Sequence, residues 1–410
     1  MTRGQAPHVL VINVFFAPFT YGGATVVAEQ VAQRLKAEHG FQVTAISATC
    51  QEHMPPYVVI KTEKAGIVNY VINLPFHRNY AESYDNPQVT EVVERLLRTI
   101  SPDVVHMHCV QEVGAGIMPM IRRQGVPMVL STHDFWWLCE RQFMIRMDGR
   151  YCGQDPVRIE NCRGCVDDFD RTRSRDSRLK AAAAMADVIT YPSDFAHDLS
   201  ARSGLTAKRS MVWRNGVKKP SPRFFEKQAN RRAATGGRVA FGFVGGPSHI
   251  KGWPFIRKAF ETIEREDFDG YLVDGSMDGS WWSDVDLKKL KGNWSVYPRF
   301  SQDEMDRFYA KIDVLLFMSQ WKETFGLTIR EALARGIKVI QTDSGGTTEH
   351  AAIEASELLQ IGQGADHLLP HIVRVLEPDG AAQEPIDVTS FSDQATEMAA
   401  CLRQVLQDNT

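Results

Sequence analysis

Val314-Leu-Leu-Phe-Met-Ser-Gln-Trp-Lys-Glu323-Thr-Phe-Gly-Leu-Thr-Ile-Arg-Glu331-Ala-Leu-Ala-Arg-Gly336 reads, in order, as a strand, a loop and a helix. The four apolar residues Val314–Phe317 form a short continuous run, the pattern of a strand buried on both faces. The spacing predicts a helix over Thr328–Arg335, stopped by Gly336. A helix that begins near Gly326 points unpaired N–H groups and the positive end of its dipole at whatever lies above it. Glu323 ends the loop and Glu331 lies inside the helix. Eight residues at about 1.5 Å each set the two carboxylates roughly 12 Å apart. That separation suits the sugar and the ribose of a nucleotide sugar, with the diphosphate held between them.

The same strand-and-helix alternation runs along most of the chain, which implies parallel sheets covered on both faces. Strands are expected at His8–Phe15, Val43–Ser47, Val104–His108, Met128–Thr132, Val188–Tyr191 and Met211–Arg214. A second set is expected at Val239–Val244, Tyr271–Val273, Trp294–Tyr297, Val314–Phe317, Val339–Gln341 and Leu358–Ile361. A chain of 410 residues suits two such α/β domains better than one core. The expected division is an N-terminal domain over 1–217, an extended Pro/Gly/charge-rich linker over 218–237, and a C-terminal domain over 238–389. The final segment, 390–410, reads as a helix.

The motif Glu323-Thr-Phe-Gly-Leu, then Glu331-Ala-Leu-Ala, Gly336 and Asp343-Ser-Gly-Gly-Thr-Thr-Glu349, resembles the E-x7-E signature of family 4 glycosyltransferases of the bacterial polysaccharide-synthesis type. The resemblance implies a GT-B fold, two Rossmann-like doubly wound domains facing an interdomain cleft, with the last helix crossing back to the N-terminal domain. It implies transfer of a sugar, with retention, from a nucleotide-sugar donor to a glycan or lipid-linked acceptor. It places the donor on Gly22, Gly23, Gly245, Lys251, Glu323, Thr324, Phe325, Gly326, Leu327, Thr328 and Glu331. Catalytic roles fall on His133, Lys251 and Glu323. A nucleotide-sugar epimerase or a non-catalytic partner protein would share the fold.

The residues support these roles on their own chemistry. Tyr21-Gly22-Gly23-Ala24-Thr25 follows the first strand and opens a helix, so backbone can approach an anion there. Gly245, Gly246 and Lys251 follow the first strand of the second domain and form an anion cradle of the same kind. The family pattern has an arginine where this chain has Gly246, which leaves His249 and Arg214 as candidates for the second cation. Ser131-Thr-His133-Asp134 ends a strand, the place where open α/β sheets bind ligands. A neutral His133 would hydrogen-bond the sugar or orient the acceptor hydroxyl. His106 and His108 share one face of a buried strand and belong to the core or the cleft wall, and Asn215-Gly216-Val217 is structural.

Cys139, Cys152, Cys162 and Cys165 follow a C-x12-C-x9-C-x2-C spacing in an insert, 139–165, with little apolar periodicity. Four thiolates with a C-x2-C knuckle suit a structural Zn2+ or an iron–sulfur cluster. Transfer itself is expected to need no metal. The run Arg171, Arg173, Arg175, Arg178, Lys180 would suit peripheral contact with anionic lipid or a lipid diphosphate. A net charge of −3 gives no reason to seek nucleic acid. Apolar runs are too short to span a membrane, and His8–Phe16 reads as the first strand and not a signal segment. A cytoplasmic protein is expected, acting in the cytoplasm or at the inner face of the membrane.

Overall fold

A computed structural model describes residues 6–353 and 358–409. The chain divides into two compact units. The first comprises Met1–Phe143, Gly153–Gly216 and Thr389–Thr410, and the second Met144–Cys152 and Val217–Val388. The Cys-bearing insert is therefore shared between units, where the sequence placed it wholly in the first.

In the first unit the elements run β1 (His8–Ile12), α1 (Gly23–Ala37), β2 (Gln42–Thr49), β3 (Val59–Lys64), β4 (Ile67–Asn73), α2 (Pro87–Ile100), β5 (Val104–Met107), α3 (Ile117–Arg123), β6 (Met128–Ser131), α4 (Phe169–Ala183), β7 (Val188–Tyr191), α5 (Asp194–Arg202) and β8 (Arg209–Val212). Among the described residues they build an eight-stranded sheet in the order β3-β4-β2-β1-β5-β6-β7-β8. β5, β6 and β7 are buried throughout, as both-face coverage requires. α2 starts at Asn86, whose side chain accepts from the amides of Gln88 and Val89, with Pro87 in the first turn.

The β3–β4 hairpin was not anticipated. It is antiparallel, and its turn, Ala65-Gly66, has positive φ at both residues (53° and 68°), the conformation of a tight two-residue hairpin. β3 is an edge strand carrying Lys61, Glu63 and Lys64, which hides its pattern from a search for apolar runs.

The second unit contains α6 (Phe224–Ala234), β9 (Ala240–Phe243), α7 (Trp253–Thr262), β10 (Asp269–Val273), β11 (Asn293–Tyr297), α8 (Met305–Tyr309), β12 (Val314–Phe317), α9 (Leu327–Leu333), β13 (Lys338–Thr342), β14 (Leu358–Leu359) and α10 (Ala365–Val375). Its sheet order is β11-β10-β9-β12-β13-β14, all parallel. Side chains alternate between two cores. Phe241, Phe243, Leu316 and Ile340 join the core under α7 and α10. Leu315, Phe317 and Val339 join the one under α8 and α9.

The expected linker, 218–237, is largely a helix, which corrects the reading of an extended segment. α6 buries Phe224 completely. Arg231 grips Asp313 with two nitrogens at 2.7 and 2.8 Å, and Arg232 adds a third contact at 2.7 Å. The missed signal was this cationic pair, whose partner lies 82 residues away in sequence. The chain returns to the first unit in α11 (Phe391–Asp408), which packs on α1 and begins with a reciprocal Ser390–Asp393 cap. Gly216 accepts this helix closely, since a Cβ there would lie 2.5 Å from the Ser390 carbonyl oxygen. Gln394 fixes the contact by accepting from Gly216 N at 2.8 Å and, through its carbonyl, from Trp213 Nε1 at 2.9 Å.

Candidate active site

In the second unit β9 lies between β10 and β12, so the strand order reverses at β9/β12. Open α/β sheets bind ligands in the crevice beyond the carboxyl ends of the strands at such a point. Two loops meet there. The loop after β9 ends at Gly252, whose φ of +81° begins α7. A Cβ on Gly252 would lie 2.1 Å from the carbonyl oxygen of Met318, so only glycine allows the approach. Gln320 N donates to Ile250 O at 2.8 Å and completes the junction.

Lys251 and Glu323 project from these two loops and form an ion pair, Nζ to Oε1, at 2.8 Å. The same carboxylate oxygen accepts from Ser319 Oγ at 2.7 Å. Nζ also lies 5.5 Å from the centroid of the Trp321 ring. The glutamate side chain is 13% exposed and the lysine 32%, so the pair reaches solvent from the lysine side. Two residues assigned to separate tasks in the sequence thus act as one unit. Gly245 supports it, since a Cβ there would meet Phe243 at 2.7 Å and Lys251 Cβ at 3.1 Å.

Glu323 is further fixed by its backbone. Its N–H donates to Ser344 O at 2.8 Å and its carbonyl accepts from Gly346 N at 3.0 Å. Thr324 and Phe325 are buried behind it, while Leu327 and Thr328 are half-buried. α9 spans seven residues and ends before the expected Arg335. The helical rise therefore applies only from Leu327 onward, and the 12 Å separation taken from eight helical residues does not hold.

Glu331 is buried and accepts a hydrogen bond from Tyr309 Oη at 2.8 Å. Burial pushes its carboxyl above the usual carboxylate range, against the Tyr309 hydrogen bond, the Arg335 charge and a hydrogen bond with Gln302. Arg330, the preceding residue, was missed from sequence. It is buried, and its guanidinium donates to the carbonyls of Thr347 (2.9 Å), Gly346 (2.7 Å), Glu349 (3.1 Å) and Phe325. This ties the start of α9 to the Gly345–Glu349 segment. The Gly-Gly-Thr-Thr stretch downstream was visible, but not the side chain that would collect its carbonyls.

In the first unit the strand order reverses at β1/β5. Gly22, with φ of +80°, caps α1, and Gly23 is its first residue. Asn13 holds this loop. It is fully buried, donates to Phe15 O at 2.6 Å and Thr25 Oγ1 at 3.3 Å, and accepts from Cys109 N at 2.9 Å. His133 follows β6. Its Nε2 lies 2.9 Å from His108 Nδ1, and the two rings are stacked with centroids 5.2 Å apart. The His108 ring centroid in turn lies 4.1 Å from that of His106, whose Nε2 meets Ser131 Oγ at 2.8 Å. Burial lowers the three imidazoles, His133 to about 4 and His106 to about 3, with His108 also well below normal. His133 is therefore a neutral imidazole near pH 7. Asp134 beside it is pushed up by burial and restrained by Trp136 N, Gln142 and Gln111.

The candidates for a second cation lie as follows. Arg214 belongs to the first unit and pairs with Asp194 at 2.5 Å, and His249 packs edge-on against Phe255. The basic run makes local contacts within the first unit. Arg175 is buried against Trp136 O, Arg171 lies 3.8 Å from the Tyr80 ring, and Arg178, Lys180 and Arg173 pair with Asp85, Asp176 and Asp170. Arg173 and Arg178 remain exposed despite these pairs. Among the described residues no helix is long and apolar enough to cross a membrane.

Cys139, Cys162 and Cys165 lie in the first unit's share of the insert and Cys152 in the second's. Among the described residues no group of three or more His, Cys, Asp or Glu side chains is placed to hold a metal ion.

The architecture is α/β with two parallel-sheet, Rossmann-like domains, the GT-B class. Residues 21–219 match the family described as Glycosyltransferase Family 4, and residues 225–383 match Glycosyl transferases group 1. The chain belongs to the glycosyltransferases. It is 20% identical to an uncharacterized 42.6 kDa protein in the cps region of Klebsiella pneumoniae, over 84% of this chain and 88% of that one. Its fold is similar to that of a sucrose-phosphate synthase from Thermosynechococcus elongatus (TM-score 0.67, 16% identity, 98% and 97% of the two chains). It is also similar to Anabaena Alr3699/HepE, solved with UDP and glucose (TM-score 0.60, 16% identity, 98% and 97%).

Proposed function

We propose that this glycosyltransferase moves a sugar, with retention, from a nucleotide-sugar donor to a glycan or lipid-linked acceptor in cell-surface polysaccharide or glycolipid synthesis. The observation that carries the reading is the Lys251–Glu323 pair in the crevice where the second sheet reverses its order. A lysine ammonium has three donors. Glu323 uses one, which leaves others for the leaving diphosphate, whose charge grows as the glycosidic bond breaks. Glu323, held by Lys251 and Ser319, presents its carboxylate to sugar hydroxyls. Glu331 takes the ribose. His133, neutral, donates or accepts at the sugar or the acceptor hydroxyl. The acceptor attacks from the face the diphosphate leaves, and a diphosphate oxygen takes its proton.

Support for the donor class comes from Alr3699/HepE, solved with UDP-glucose, and for the surface-glycan role from the relative in a cps region. In this proposal the enzyme is cytoplasmic and transfer needs no divalent metal. The test is a calorimetric panel of nucleoside diphosphates, followed by proton NMR of the product made from the matching nucleotide sugar. One diphosphate should bind, and the product should keep the donor's anomeric configuration. Inversion would overturn retention, and isomerisation of the donor without an acceptor would overturn transfer.

A further inference from the structure

We propose that Trp281 is the stacking platform for the base of the nucleotide donor, an inference that rests on the donor-site reading above. Two adjacent tryptophans follow β10, and they divide the work. Trp282 is buried, donates from Nε1 to Val273 O at 2.9 Å and packs against Trp253 and Phe243. Trp281 remains 37% exposed. Its six-membered ring lies over two glycines at the carboxyl ends of neighbouring strands. A Cβ on Gly246, after β9, would lie 2.9 Å from Cε3 and 3.0 Å from Cζ3. A Cβ on Gly275, after β10, would lie 2.7 Å from Cη2 and from Cζ3. Gly246 is the position where the family pattern has an arginine, and the indole now fills the space that any side chain there would need.

The platform stands beside the proposed donor groups. Gly246 follows Gly245, where a Cβ would lie 3.1 Å from the Cβ of Lys251. On the other side, Asp274 N donates to Tyr297 O at 2.8 Å, joining the loops after β10 and β11. The second of these loops carries Gln302, which bonds to the Glu331 carboxyl. A ribose on Glu331 and a diphosphate on Lys251 direct the attached base toward the ends of β10 and β11. There Trp281 offers an aromatic surface, and bases stack on such surfaces irrespective of their hydrogen-bonding edge.

The experiment measures binding of UDP, ADP and GDP by calorimetry to wild type and to Trp281→Ala, Trp281→Leu and Trp281→Phe. For the diphosphate that binds wild type, Ala and Leu should raise Kd by about tenfold and Phe by much less. Leu should keep the wild-type Tm, which separates stacking from filling of the space over Gly246. Wild-type affinity in the Leu variant would overturn the proposal. So would an Ala variant with unchanged diphosphate Kd but raised KM for the nucleotide sugar, which would assign the ring to the sugar. If wild type binds none of the three, or if Lys251→Met and Glu331→Gln also bind like wild type, the donor-site reading fails and this proposal with it.

Discussion

Replacing Lys251 by methionine removes the charge that, among the described residues, pairs with Glu323 at 2.8 Å, while leaving Ser319 Oγ as its second side-chain donor. Two unit charges 4 Å apart attract by about 4 kcal/mol at an effective dielectric of 20. Desolvation offsets part of that, and a lysine one-third exposed is screened further. The net loss of stability should be about 1–2 kcal/mol. For a unit of this size that lowers Tm by roughly 2–8 °C. Turnover should fall much further, by about 10²–10³-fold, the usual cost of removing one preorganised donor from a developing negative charge. Adding Glu323→Gln to the Lys251→Met variant removes the unpaired carboxylate, so the double variant should recover Tm without recovering turnover. The assays are thermal unfolding and release of nucleoside diphosphate from the matching nucleotide sugar. Turnover of the single variant within threefold of wild type, or recovery of turnover in the double variant, would refute a catalytic role and leave the pair structural.

Glu331→Gln should weaken nucleoside diphosphate binding by about 1.5–3 kcal/mol in calorimetry, the loss of a charge-assisted hydrogen bond. Because burial raises the Glu331 carboxyl, wild-type affinity should decline with acid at a higher pH than an ordinary glutamate would give, and that decline should vanish in the variant. Burial would raise Asp313, but the Arg231 and Arg232 hydrogen bonds and charges prevail and hold it below the usual range. Its contribution to stability is then full above about pH 3.9 and is lost as pH falls through the lower folded value. Asp313→Asn should cost about 3 kcal/mol near neutrality and flatten that acid limb in urea titrations. Gly252→Ala should sharply reduce the stability of the second unit, because φ of +81° and a contact of 2.1 Å with Met318 O leave its Cβ no room. The tetrathiolate reading of Cys139, Cys152, Cys162 and Cys165 stands as a proposal, with an expected yield of about one zinc or iron–sulfur site per chain by elemental analysis of anaerobic protein. Absence of both metals would overturn it.

The parts of the fold written in local pattern were legible in the sequence. β7 and β12 were placed to the residue, because each is a short buried run that follows an aspartate, Asp187 and Asp313. The strand ends that border the candidate site were placed within a few residues for the same reason. β3 was not legible, since an edge strand exposes its charges and loses the apolar signal. α6 was not legible because its stability comes from tertiary contacts, chiefly the two arginines on Asp313. Its Pro- and Gly-rich flanks read as linker when those partners are out of view.

The site divides along the same line. Glu323, Glu331, Lys251 and His133 stand out because their chemistry and their place after strands coincide. What the sequence could not supply is the coupling between them. Lys251 and Glu323 are 72 positions apart, and their pairing follows from the reversal of strand order at β9/β12, a property of topology alone. His133 is neutral because it is buried beside His108, in a cluster that β5 and β6 bring together. Gly246 gives the sharpest case. In sequence it is a missing arginine, and the search for a replacement runs through other cations. In the structure the position is occupied by the ring of Trp281, 35 residues later, which requires glycine beneath it. The departure from the family pattern is thus a substitution of surface chemistry, an aromatic face for a charge. It leaves Lys251, already paired with Glu323, as a cation at this loop, the one the proposed function assigns to the leaving diphosphate.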